Sequence, residues 1–238
     1  MRFQVHGTVM STCTRRVLAS LEEMGLVSGK DYGLVEQDYS KIKSPEYLKH
    51  QPFGQIPYLV DTETNVEMYE SKAIARYVAS QVKSPLQPSI DDPKAYAAYE
   101  TAVSVEAFHF DQHCYEIIKE KSRNPFGDKN VSKKIMAYHS QKLAEVLQGY
   151  ETILGRQQFL AGNRLTLVDI FHVQYGQWMV SAGTAPSLDD GSLPNVARWW
   201  KATNESKGPA MAEGLRADWV KAHPDIYANM RKMYEPEE

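Results

Sequence analysis

Cysteine is scarce in this chain, with Cys13 and Cys114 the two among 238 residues. Two thiols that far apart build neither a disulfide framework nor a thiolate zinc site, and a reducing compartment suits them best. Excess charge of one sign is also missing, since 27 Lys and Arg stand against 30 Asp and Glu for a formal charge of -3. A pI near 6.2 offers no basic field to a phosphate backbone, so nucleic acid is not an expected partner. Nowhere do about 18 apolar residues run together, which argues against a membrane span. The segment from Met1 to Arg16 lacks a cationic stretch followed by an apolar core, so the expectation is a cytoplasmic, unprocessed chain. With 14 Gly and 12 Pro, and no internal repeat, collagen-like and low-complexity classes fall away.

What is present is an ordinary globular composition, 42% hydrophobic and 24% charged, in a chain long enough for one to two domains. Phe3 and Val5 alternate with polar neighbours, which predicts a strand over residues 2–6, followed by a loop from Gly7 to Ser11. Val17, Leu18, Leu21 and Met24 then fall on one helical face, and Gly25 is placed to stop that helix. A second strand is expected from Tyr32 to Val35 and a short helix around Glu46 to Lys49 after Pro45. Strands Tyr58 to Val60 and Val66 to Tyr69 flank a hairpin loop from Thr62 to Asn65. Ile74, Tyr77 and Val78 mark a helix from Ser71 to about Val82, giving βαβ followed by ββα. Pro85, Pro88 and Pro93 lie in a stretch without apolar periodicity, which places a linker at 83–92 between a domain over 1–82 and another over 93–238. In the second part Tyr96, Tyr99, Val103, Ala107 and Phe110 recur at helical steps. Similar patterns around Leu143, Leu167 and Trp199 predict an all-α bundle of at least four helices.

Several residues have both a structural and a chemical reading. Ser11 stands at a loop-to-helix junction, where a hydroxyl caps the helix or faces an anion such as a thiolate at its positive end. No G-x-S-x-G elbow occurs, which counts against a serine hydrolase. Cys13 has no C-x-x-C partner and reads as a buried structural thiol. Pro57 is by default trans, the alternative being a cis bond that turns the backbone toward a ligand. Ser71 reads as the N-cap of its helix, whose free N–H groups suit a carboxylate. His109 and His113, one helical turn apart beside Cys114, lack further ligands, so no metal is expected. Phe108, Phe110, Tyr115, Tyr175 and Trp178 belong either to the core or to an apolar pocket. Thr166 and Asp169 have the spacing of a helix cap.

The segments Ser11–Val17, Pro45–Leu48, Gln51–Pro57, Glu70–Ile74, Phe159–Gly162 and Thr166–Asp169, in that order, resemble the cytosolic glutathione transferases over nearly the whole chain, and most closely the phi class and its fungal relatives. The resemblance implies a thioredoxin-like domain that binds glutathione as co-substrate and a helical domain that supplies the site for a hydrophobic electrophile. It implies no metal, and a homodimer in which Phe53 is either an exposed key into the partner subunit or a core residue. Ser11, and not Cys13, would activate the thiol. Ile56 before a cis Pro57 would meet the cysteinyl part, with Gln55 beside it, while Glu70 and Ser71 hold the γ-glutamyl end and Lys43 the glycine carboxylate. Met10, Phe110, Tyr115 and Tyr175 would line the acceptor site. One departure is Ile42-Lys43, where phi proteins often carry His-Lys. The implied activity is thioether formation in detoxification. The alternatives are peroxide reduction, ether cleavage, or non-catalytic binding of hydrophobic ligands.

Overall fold

Phe3 and Val5 are the residues that fix the orientation of the first strand, both buried while their neighbours are not. The computed structural model describes residues 1–122, 132–183 and 186–232. Strand β1 (Phe3–Gly7) is followed by α1 (Thr12–Glu23), β2 (Tyr32–Glu36), the four-residue α2 (Pro45–Leu48), β3 (Tyr58–Asp61), β4 (Val66–Tyr69) and α3 (Ser71–Gln81). The sheet order is β2-β1-β3-β4, with β2 parallel to β1 and the other pairs antiparallel. Gly25 adopts φ 83°, the left-handed geometry that ends α1 where the sequence placed its stop. Val17, Leu18 and Leu21 of α1 join Ile74 and Val78 of α3 over Phe3, Val5 and Leu59 of the sheet in one core.

Beyond the sheet the regular elements among the described residues are helices, joined by loops, apart from a single bridge between Phe159 and Gly162. The helices are α4 (Pro93–Val105), α5 (Gln112–Ser122), α6 (Lys133–Leu154), α7 (Leu167–Phe171), α8 (Val173–Ser181), α9 (Pro194–Asn204), α10 (Lys207–Ala222) and α11 (Pro224–Lys232). The C-terminal six residues assigned to this part from sequence lie outside the described residues. Between α4 and α5 the chain makes a π turn over Glu106–Asp111, which the three- and four-residue spacing of its aromatics did not foretell. A π turn brings residues five apart onto one face; here these are Glu106 and Asp111, and Lys72 bonds to both, at 2.7 and 2.8 Å.

Phe110 does not line an open site. It is fully buried, its ring 4.4 Å from that of His172, because the π turn directs it into the core with Tyr150 and Trp199. The two halves meet along α1 and α10. A Cβ on Gly208 would lie 1.9 Å from the Ala19 carbonyl oxygen, so only glycine permits this approach. The Gly208 N–H donates to Glu23 Oε2 at 2.7 Å.

Asp169 organises the helical core. Its buried carboxylate accepts from the Leu160 and Thr166 N–H groups, the Thr166 hydroxyl and Trp199 Nε1, all within 3.0 Å, which realises the cap expected from the sequence. His172 beneath it donates from Nδ1 to the Val168 carbonyl at 2.7 Å, leaving Nε2 to accept from the Tyr150 hydroxyl at 2.9 Å. Replacing Asp169 by Ala strands four donors and is expected to lower stability by about 3 kcal/mol or more, read as a fall in the urea midpoint. Burial pulls the His172 pKa down to about 3, so the folded protein keeps it neutral while the unfolded chain protonates near 6.5. Stability should therefore decline as pH falls below that unfolded value, by about 1.4 kcal/mol per pH unit from this group. Urea titrations at pH 7.5, 5.5 and 4.5 should show a shallower pH dependence in His172→Asn.

Candidate active site

Strand register assembles the site. His6 pairs with Tyr58, and Tyr58 pairs with Tyr69. The next residue on each strand, Gly7, Pro57 and Glu70, therefore stands at the same edge of the sheet, where three loops converge. From Gly7 the chain turns into α1, with the Ser11 N–H bonded to the Thr8 carbonyl at 3.0 Å. A Cβ on Gly7 would come within 2.4 Å of Thr14 Oγ1, so the lack of a side chain lets α1 start this close to the strand. Ser11 is the N-cap, its Oγ accepting from the Thr14 N–H at 3.2 Å. That bond uses an acceptor lone pair and leaves the hydroxyl hydrogen available to another acceptor. The first turn of α1 holds no acidic residue, so the positive end of this 12-residue helix is not neutralised locally.

The Ile56-Pro57 bond is cis, the alternative that the resemblance favoured over the default trans geometry. The preceding segment is pinned, since the Tyr47 hydroxyl donates to the Gln55 carbonyl at 2.8 Å and the Gln51 side-chain oxygen accepts from the Phe53 N–H at 2.7 Å. Lys43 reaches the same loop, its Nζ donating to the Phe53 carbonyl at 2.7 Å. Its neighbour Ile42 is buried with Tyr47 and Tyr58. Phe53 itself is exposed.

At the third loop Glu70 occupies the N-cap position with φ 74°, a left-handed conformation that is strained for a residue with a side chain. Ser71, expected as the cap, is instead the first helical residue, because Glu70 makes the turn and no side chain caps α3. The Ser71 hydroxyl oxygen accepts from Arg16 Nη1 at 2.9 Å. Sequence reasoning missed both the Glu70 conformation and Arg16. The available signal was the pair of charges, Arg15 and Arg16, directly ahead of the apolar positions Val17, Leu18 and Leu21 on a helix that the structure buries from Thr14 to Leu21.

The acceptor candidates scatter. Met10 is half-buried in the Ser11 loop, and Tyr115 is exposed on α5 with Lys119 Nζ 5.6 Å from its ring centre. Tyr175 is nearly covered, with the Arg16 guanidinium 5.1 Å from its ring centre and its phenol pKa pushed up by burial. A cleft of 330 Å³ between α4 and α6 is lined by Ala98, Val105, Tyr150 and Ile153 among others, and by none of the expected site residues. His113 pairs with His139, the two Nδ1 atoms 3.0 Å apart, and not with His109. No group of three or more His, Cys, Asp or Glu suited to a metal occurs among the described residues. No described helix is long and apolar enough to cross a membrane.

A mixed four-stranded sheet with a cis-proline loop leading into its third strand, continued by a helical domain packed on its first helix, defines the glutathione transferase fold. The family models for the glutathione S-transferase N-terminal and C-terminal domains match residues 10–81 and 108–207. The chain is 37% identical to glutathione S-transferase PM239X14 of Arabidopsis thaliana, over 84% of this chain and 90% of that protein. It superposes on glutathione transferase F7 from Populus trichocarpa with TM-score 0.80 at 27% identity, covering 90% of this chain and 98% of that one. Glutathione S-transferase I from mais, solved with an atrazine glutathione conjugate, gives TM-score 0.79 at 29% identity, with 90% and 98% covered. The chain belongs to the glutathione S-transferase family, and its likeness to F-type plant enzymes agrees with the phi-class expectation.

Cys13 is half-buried, not the fully buried thiol expected, because it stands at the open start of α1. Cys114 is fully buried in the helical core, where burial pushes its thiol pKa well up. Iodoacetamide at neutral pH should therefore add one label to the native protein, at Cys13, and reach Cys114 after unfolding; intact-mass and peptide analysis would show both steps.

Proposed function

We propose that this enzyme binds glutathione at the sheet edge and conjugates its thiolate to a hydrophobic electrophile, with the Ser11 hydroxyl as thiolate stabiliser. The observation that carries this reading is the convergence of the uncapped hydroxyl hydrogen of Ser11, the cis Ile56-Pro57 loop and the strained Glu70-Ser71 turn at one edge of the sheet. Ile56 offers backbone groups for the cysteinyl part, Gln55 lies beside it, Glu70 and Ser71 face the γ-glutamyl end, and Lys43 is near enough to the same loop to take the glycine carboxylate. The mais relative solved with a glutathione conjugate supports the substrate pair.

A free thiol has a pKa of about 8.5 and is mostly protonated at neutral pH. A charge-assisted hydrogen bond from Ser11 together with the end of α1 favours the thiolate by about one to two pKa units. The electrophile would approach from the side of Met10, with Tyr115 on α5 and the covered Tyr175 as further candidates. We further assign residues 1–82 as the glutathione domain, 83–92 as linker and 93–238 as the acceptor domain, in a cytoplasmic homodimer acting in detoxification. The exposed Phe53 ring is the apolar feature that suits docking to a second copy.

Conjugation to 1-chloro-2,4-dinitrobenzene, followed by absorbance across pH 6 to 9, tests the assignment. Ser11→Ala is expected to lose about 10- to 100-fold in kcat/KM at neutral pH, with the rate rising at higher pH as the thiol ionises unaided. Full activity in Ser11→Ala would remove Ser11 from this role.

A further inference from the structure

The face of the sheet turned away from α1 and α3 carries a group of stacked rings. Phe3, Val5 and Leu59 point to the helices, so the period of two in a strand sends His6, Tyr58 and Glu67 to the opposite face. There His6 and Tyr58, paired across β1 and β3, stack with ring centres 4.2 Å apart and planes 12° from parallel. His50, just past the end of α2, stacks on Tyr58 as well, with 5.2 Å between centres and 6° between planes. Burial, and then the nearness of His50, push the His6 pKa down, so His6 enters the stack as a neutral ring at pH 7. The orientation of His50 is fixed from β4. Its Nδ1 is 2.7 Å from Glu67 Oε1, and a carboxylate only accepts, so Nδ1 carries the hydrogen. The ring is thus held by a hydrogen bond at its edge and by Tyr58 against its face.

The places of these residues in the chain give the stack its consequence. His50 immediately precedes Gln51 and Tyr58 immediately follows Pro57, so their contact closes the loop Gln51–Pro57 at its base. The bonds from Tyr47, Gln51 and Lys43 tie this loop to itself and to the chain around α2. The stack and the bond to Glu67 tie its base to the sheet, beside Gly7, where the Ser11 loop departs. A loop fastened at both ends has less freedom to lose when a ligand binds, which raises affinity without a new ligand contact.

We propose that His50 is a positioning residue for glutathione, its ring clasping the base of the Gln51–Pro57 loop against Tyr58 and so presetting the backbone of Gln55 and Ile56. This rests on the reading above that the loop meets the cysteinyl part. His50 touches no reacting atom in this role, so its loss acts on affinity and leaves the thiolate chemistry at Ser11 in place.

The test makes two measurements on the native chain, His50→Ala, His50→Phe and Glu67→Ala. One is amide hydrogen exchange by mass spectrometry over Gln51–Ile56, and the other is KM and kcat for glutathione with 1-chloro-2,4-dinitrobenzene. His50→Ala is expected to speed exchange in the loop, with peptides of α9 unchanged, and to raise KM for glutathione about 3- to 10-fold with kcat within about twofold. His50→Phe keeps a ring on Tyr58 without the Nδ1 donor, and should return both readouts to within about twofold of native. Native exchange in His50→Ala would overturn the proposal, as would His50→Phe as impaired as His50→Ala, or a loss confined to kcat. Faster loop exchange with an unchanged KM would instead overturn the assignment of this loop to glutathione. The His50 and Glu67 side chains are 37% and 36% exposed, so the variants are expected to fold. Should His50→Ala fail to fold, Glu67→Ala decides, since it frees the edge of the ring: faster exchange with a raised KM supports the proposal, and native values overturn it.

Discussion

The burial of the middle of α1 on all sides is the constraint on which the rest of the structure depends. Residues Thr14 to Leu21 are buried without interruption, because the helix lies between the sheet and the helical domain. Val17, Leu18 and Leu21 belong to the sheet core, while Ala19 belongs to the helical core. A helix segment without a solvent face must find partners for its polar side chains inside the protein, and α1 does so unevenly: Arg15 keeps an ion pair to Glu213 at 3.6 Å, while its Nε and the Thr14 hydroxyl have no hydrogen-bond partner among the described residues. Arg16 therefore reaches the Phe171 carbonyl and Ser71, and Gly208 on α10 forgoes a side chain to pass the Ala19 carbonyl. The two domains share this helix as a common core element, so the N-terminus that carries Ser11 is held by both.

Such fixation matters to the chemistry proposed at this edge. A hydroxyl donor and a helix terminus help an anion in proportion to how little they reorganise when it forms. Ser11 is held by its bond from the Thr14 N–H, the β1–α1 loop by the bond between Ser11 and Thr8, and the opposing loop by Tyr47 and Gln51. The backbone strain at Glu70 is confined to the same edge, where the pairing of β3 with β4 and the start of α3 determine it from either side.

Local features were legible in the sequence. The strand alternation of Phe3 and Val5, the stop at Gly25 and the cap from Thr166 to Asp169 depend on neighbours a few residues away, and each forms where it was expected. The misses share a different origin. The turn at Glu70 is left-handed without glycine, so the usual marker is absent and Ser71 was assigned its neighbour's position. The π turn preserves apolar spacings of three and four on either side and shows itself only through the partners of Glu106 and Asp111, which come from α1 and α3. Phe110 sits at helical spacing that fits core or pocket alike, and only the turn decides that it faces His172. Cys13 and Arg16 lie on one buried helix, yet their exposure differs because one is at its open end and the other beneath the α3 terminus.

On the proposed reading, the two serines divide the work that binding energy can do. Ser11 faces the atom whose charge changes during the reaction, so its hydrogen bond strengthens as the thiolate is formed and contributes to rate. Ser71, with Arg16 behind it, faces a carboxylate whose charge is the same before and after ionisation of the thiol. Interactions of that kind stabilise bound substrate and transition state alike and act on affinity. The fold keeps the two tasks on separate helix N-termini, α1 and α3, and joins them through one buried guanidinium. Holding the distant end of the tripeptide then serves the reacting end, because a substrate clamped at the γ-glutamyl group presents its sulfur to a hydroxyl that is already in place.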